Sequence, residues 1–208
     1  MKKQCVRIGG ATGYWGDADM AVPQFLADGD VDFIVFDYLA EITMSILARA
    51  RAADPAMGYA TDFVTSVIKP HLTAIASSNV RLISNAGGVN PERCATVVRE
   101  LIAEAGLKLS VAVVTGDDLM PQLSALSALN PEEMFSGDAL PPLEHVASAN
   151  AYLGAFPIAK ALDDGADIVI TGRCVDSAVT LGACIHSFGW TSQDLDHLAA
   201  GSLAGHII

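Results

Sequence analysis

Charge is scarce in this sequence, and positive charge is scarcest. Only 17% of its 208 residues are charged, and 12 lysines and arginines stand against 24 aspartates and glutamates, a formal net charge of -12. Such a surface repels a phosphate backbone, which argues against nucleic acid as a partner. Beyond the amino terminus the only lysines are Lys69, Lys108 and Lys160, and no Tyr-x-x-x-Lys pair occurs. Cys5, Cys94, Cys174 and Cys184 are far apart, without a C-x-x-C pair, so they read as reduced thiols of a disulfide-free, cytoplasmic protein. His71, His145, His186, His197 and His206 show neither H-x-H nor H-x-x-x-H spacing, and no metal site is expected. No apolar run reaches membrane-spanning length, and Met1 to Cys5 lack the apolar stretch and cleavage site of a secretory signal.

What is present is apolar and small. Hydrophobic residues make up 51% of the chain and glycines number 18, enough for a sizeable core with closely packed helices. Short β-branched runs alternate with helical patterns, which predicts an α/β fold: a Rossmann-like open parallel sheet of about five strands, with helices on both faces. The strands are expected at Cys5–Gly9, Asp32–Asp37, Val80–Asn85, Leu109–Thr115 and Asp167–Thr171. Helices are expected near Val22–Ala27, Ala40–Ala53, Asp62–Ser78, Pro91–Ala105, Asp118–Leu126 and Tyr152–Asp163, then after Asp176 and after Ser192. Asn90 should cap the helix opened by Pro91, Gly106 and Gly165 should stop helices, and Pro70 should kink or split its own. Residues 1–208 read as a single domain, with 127–150 a long connection or lid.

In such a sheet ligands bind beyond the carboxyl ends of the strands. The five ends read Gly9-Gly10-Ala11-Thr12-Gly13-Tyr14-Trp15-Gly16-Asp17, Asp37-Tyr38-Leu39-Ala40-Glu41, Asn85-Ala86-Gly87-Gly88, Thr115-Gly116-Asp117-Asp118 and Thr171-Gly172-Arg173-Cys174-Val175-Asp176. Any one of these is ordinary turn and capping chemistry, but five polar ends together predict a cleft. Asp37, Glu41, Asn85, Arg173 and Asp176 are the catalytic candidates. Gly9, Gly10, Thr12, Gly13, Trp15, Gly16, Asp17, Gly87, Thr115, Gly116, Asp117 and Gly172 are candidates for the binding loops. Arg173 is the one basic residue at a strand end, suited to a carboxylate or phosphate or, equally, to a salt bridge with Asp176. Helix capping outweighs metal binding for Asp117-Asp118. Cys174 reads as a core filler with no histidine beside it, and His186 reads as a residue of an apolar helix.

Gly10-x-x-Gly13-x-x-Gly16 followed by Asp37 also mimics a dinucleotide fingerprint, making an NAD(P)-dependent oxidoreductase the rival reading. Asp17, Asp19 and Pro23 count against it, since they put negative charge and a break where a phosphate-binding helix should begin.

Gly9 to Asp17, Asp32 to Glu41, Val111 to Asp118, Ser148 to Ala155 and Gly165 to Arg173 followed by Asp176 together resemble, in order, the AtuA-like acyclic terpene utilisation family. The resemblance implies a role in bacterial catabolism of citronellol and geraniol through acyl-CoA intermediates. It points to a lyase acting on a branched 3-hydroxyglutaryl-CoA with release of acetate. It brings no catalytic residues and no specific metal or nucleotide. Members of that family are longer, so this chain is expected to be the amino-terminal part of a longer protein. The expected partner is a small molecule, an acyl-CoA on this reading, with a homo-oligomer as the assembly; a non-catalytic subunit of a catabolic assembly is the third reading.

Overall fold

Two apolar faces on one strand require cover on both sides of a sheet. In the computed structural model, which describes residues 4–208, the central strands meet that demand by alternation. The strands are β1 (Ile8–Thr12), β2 (Phe33–Phe36), β3 (Arg81–Gly88), β4 (Val111–Val114) and β5 (Ile168–Gly172), all parallel, in the order β1-β2-β3-β5-β4. The longer helices are α1 (Ala21–Asp28), α2 (Glu41–Ala53), α3 (Lys69–Ser77), α4 (Pro91–Glu104), α5 (Leu123–Ser127), α6 (Phe156–Asp163), α7 (Ala178–Phe188) and α8 (Leu195–Ile207).

Ile34, Phe36, Leu82, Ile168 and Ile170 face one core with residues of α1 to α4, while Phe33, Val35, Ile83 and Val169 face the other with α6 and α7. This division follows from strand order. From β1 to β4 the chain advances in one direction across the sheet, and right-handed crossovers lay their helices on one face. The return from β4 to β5 reverses direction and places α6 on the opposite face. Phe36 stacks on Tyr38, and both meet the edge of Phe63, which closes the first core under the end of β2.

Several local expectations shift. The first strand runs three residues later than Cys5–Gly9, so Gly10, Ala11 and Thr12 are strand residues rather than loop. A Cβ on Gly9 would lie 2.6 Å from the Phe25 ring, so that glycine admits α1 against the sheet. The helix expected over Asp62–Ser78 splits where Pro70 lacks its N–H, into a π-helical stretch at Phe63–Ile68 and α3 with the proline in its first turn. Asn90 does not cap α4; its Nδ2 donates to the Pro55 and Met57 carbonyls at 3.0 and 2.8 Å and pins that turn to the helix start. The helix expected from Tyr152 begins at Phe156. Among the described residues no helix is long and apolar enough to cross a membrane.

The close approach of β3 and β5 gives a stability prediction. A Cβ on Gly87 would stand 2.4 Å from the Thr171 carbonyl oxygen and 2.6 Å from Pro91 Cβ, whereas one on Gly13 would meet nothing within 4 Å. Gly87→Ala should therefore cost about 1–3 kcal/mol, the usual penalty of overpacking, and Gly13→Ala should be near neutral, as read by denaturant unfolding.

Candidate functional site

Adjacent parallel strands whose following helices leave to opposite faces open a crevice at their carboxyl ends. Here the pair is β3, followed by α4, and β5, followed by α7. Arg173 is the first residue after β5 and stands at this crevice. Its side chain is only 5% exposed, and its guanidinium carbon sits 4.1 Å over the Tyr152 ring. Nη1 donates to the Cys174 carbonyl and to Asp176 Oδ1, both at 3.0 Å, and Nη2 reaches Glu41 Oε1 at 3.4 Å. Glu41 is 78% exposed and also accepts from the Tyr152 hydroxyl, so it and Tyr152 cover the guanidinium on its solvent side. That hydrogen bond, with Arg173 adding to it, holds the Glu41 carboxyl below its ordinary pKa.

Tyr152 arrives from the long connection because the segment before α6 is an extended strap. Leu119 N–H donates to the Ala149 carbonyl and Ala151 N–H to that of Asp117, both at 2.8 Å. Leu153 N–H then donates to the Arg173 carbonyl and Val175 N–H returns to that of Leu153. Under the strap lies Asp117, buried, whose Oδ2 accepts from the Arg173 N–H at 2.8 Å and from Asn150 Nδ2 at 2.9 Å. Gly172 is needed there, since a Cβ would lie 2.3 Å from Asp117 Oδ1. Asp117 is thus a structural clamp on the strand end, and Asp118 caps the following turn through Met120 N–H.

Asp37 follows β2 and is half buried. Asn85 Nδ2 donates to its Oδ1, while Asn85 Oδ1 accepts from Tyr38 N–H at 2.7 Å. Asn85 is fully buried and occupied on both sides, so it positions Asp37 rather than touching a ligand. Burial raises the pKa of Asp37; the Asn85 bond opposes this, and the nearby Asp176 charge raises it further. A cavity of about 330 Å³ opens beside Asp37 and Asp176, bounded by Gly10, Thr12, Gly13, α7 and the last turn of α8.

The structure thus brings Asp37, Glu41, Asn85, Arg173 and Asp176 into one linked set. The first loop is divided. Gly10, Thr12 and Gly13 line the cavity, whereas Trp15 packs on the core and Asp17 is exposed. Gly16 adopts a φ of 114°, and its amide and the Trp15 indole act on the buried Asp62 carboxyl, which makes no bond of full hydrogen-bond geometry among the described residues. A carboxylate of the chain itself therefore stands where those groups converge. Thr115, Gly116 and Gly87 lie at the ends of β4 and β3; Thr115 and Gly116 line a separate cavity of about 240 Å³ with Arg51. Cys174 is buried and its thiol is pushed up to about 11 by that burial, which removes it as a nucleophile. His186 lies at the other end of the sheet, between Asp163 and Arg81. Tyr152 and Asn150 escaped notice as site residues because they sit at the end of a segment without periodicity; only their place in the Ser148 to Ala155 motif marks them.

Fold and site together define an open parallel α/β protein with a buried arginine at its switch-point crevice, beside a carboxyl group poised in a half-buried pocket. The chain belongs to the acyclic terpene utilisation family AtuA, whose model matches residues 6–208. No curated protein and no solved structure matches it.

The raised pKa of Asp37 has a defined sign in stability. The folded state holds the proton more tightly than the unfolded chain, so this contribution is complete below the ordinary value of 3.8 and is lost as pH rises through the folded value. The stability of the native protein relative to Asp37→Asn should therefore increase as pH falls from neutrality toward 3.8. Denaturation midpoints across that range read the difference; a constant difference contradicts it.

Proposed function

We propose that this protein is a lyase-like enzyme of acyclic terpenoid catabolism that cleaves a branched 3-hydroxyglutaryl-CoA with release of acetate. The observation that carries this reading is Arg173, a buried guanidinium at the switch-point crevice whose two carboxylate partners are both exposed, Asp176 at 3.0 Å and the more exposed Glu41 at the longer distance of 3.4 Å. An arginine held this way suits a ligand carboxylate, with Glu41 filling that place until the ligand arrives. Family membership supports the pathway, and the crevice supports the chemistry.

In the proposed reaction Asp37, ionised, takes the proton of the substrate's 3-hydroxyl. The carbinol becomes a ketone as the bond to the carboxymethyl carbon breaks. The electron pair passes to that carbon, next to the free carboxylate, and the proton held by Asp37 is delivered there to give acetate and restore the base. Arg173 stabilises the charge that gathers on this carboxylate during cleavage. A carboxyl whose pKa is raised by burial is a stronger base when ionised than an exposed aspartate, which suits the first step. Asn85 orients Asp37, and Asp176 fixes the guanidinium through Nη1.

The nicotinamide reading loses its footing in topology. The glycine loop follows β1, an edge strand, rather than a strand at the switch point, and α1 starts at Ala21, well beyond the end of β1 at Thr12.

The test is turnover of 3-hydroxy-3-methylglutaryl-CoA and its longer branched homologues, with acetate measured directly; a correctly folded protein that releases none contradicts the proposal. Arg173→Met should lower kcat/KM by roughly 10- to 100-fold, the range expected for a lost charge-assisted pair. Glu41→Gln should lower KM several-fold with kcat retained, because it removes the competitor for Arg173. Loss of kcat at unchanged KM would instead place Glu41 in the chemistry.

A further inference from the structure

Buried hydroxyls are normally bonded, and Ser177, just before α7, and Thr180 within it show both cases. Ser177 Oγ lies 3.0 Å from Ser202 Oγ on α8. Thr180, one turn on and 2% exposed, has a buried hydroxyl with no partner among the described residues. Its side chain forms part of the wall of the cavity of about 330 Å³ beside Asp37. Threonine in a helix has two open χ1 wells, so a turn about Cα–Cβ carries the hydroxyl toward that space.

The rest of the lining narrows what fits. Val35, Val179 and Ile207 present hydrocarbon, and Asp37 and Asp176 stand among them. Asp176 is already paired with Arg173 at 3.0 Å, whereas Asp37 takes its hydrogen bonds on Oδ1, from the neutral Asn85 amide and the Leu39 N–H. A neutral hydroxyl on an aliphatic carbon donates to Asp37, accepts from Thr180 and lays its alkyl substituents on the apolar walls, while Thr12 and His206 also line the cavity. We propose that this cavity is the subsite for the alcohol carbon of the ligand, with Thr180 as the residue that recognises its hydroxyl. This rests on the reading above insofar as Arg173 holds a carboxylate of the same ligand.

Calorimetry on the full chain with 3-hydroxy-3-methylglutarate and 3-methylglutarate, which lacks the hydroxyl, tests it. The native protein should bind the hydroxylated acid at least about tenfold tighter, as sites built around a hydroxyl do. Thr180→Val should erase that preference, and Thr180→Ser should keep it. Equal affinity for the two acids, or a preference that survives Thr180→Val, overturns the subsite. So does tighter binding of 3-aminobutyrate than of 3-hydroxybutyrate. Should Thr180→Val not fold, the native ratio alone decides. Binding weakened by Arg173→Met without any hydroxyl preference defeats the subsite alone; a hydroxyl preference indifferent to Arg173→Met defeats the carboxylate role alone. Absence of binding by both acids defeats both.

Discussion

A guanidinium removed from water must be given partners, and the groups that satisfy Arg173 organise the whole carboxyl edge of the sheet. Asp176 and the Cys174 carbonyl take one nitrogen, Glu41 the other, and Tyr152 the flat face. Its own backbone N–H is held by Asp117, which also holds Asn150. One residue thereby ties together the ends of β5 and β4, the start of α2 and the last residues of the long connection. Neutralising it would leave Asp176 and Glu41 without their shared cation in a chain already carrying a net charge of -12.

This arrangement depends on strand order. Placing β5 between β3 and β4 sets the residue after β5 at the one position where α4 and α7 depart to opposite faces. Glycine makes the position tolerable. Gly87 lets β3 run on beside Thr171, and Gly172 lets the Asp117 carboxylate lie against the strand. The arginine crevice and the cavity under α8 meet at Asp176, which lines one and braces the arginine of the other.

Much of this was legible in the sequence. The β-branched runs around Val35, Ile83 and Ile170 need apolar cover on both faces, and the residues just past them, Asp37, Asn85, Arg173 and Asp176, fall where such sheets bind ligands. The sequence places the first strand three residues early because Gly9 and Gly10 resemble a loop, whereas Phe25 and Ile208 fill the space a Cβ would need there. Gly10 through Gly16 looked like a phosphate cradle because composition does not reveal that β1 lies at the edge. Local preference makes Tyr152 the start of a helix; the pairing of Leu153 with Cys174 overrides that preference and lays the ring on Arg173. Partnerships across 111 and 132 residues, Tyr152 to Glu41 and Arg173 to Glu41, leave no periodic signal to read.

In the proposed reaction Arg173 receives a ligand carboxylate in exchange for Glu41. A crystal structure of the protein with 3-hydroxy-3-methylglutarate bound tests it most directly. The expected result is a carboxylate of the ligand within hydrogen-bonding distance of the Arg173 guanidinium, with Glu41 turned away. A ligand seated elsewhere, with the Glu41–Arg173 pair intact, would contradict it.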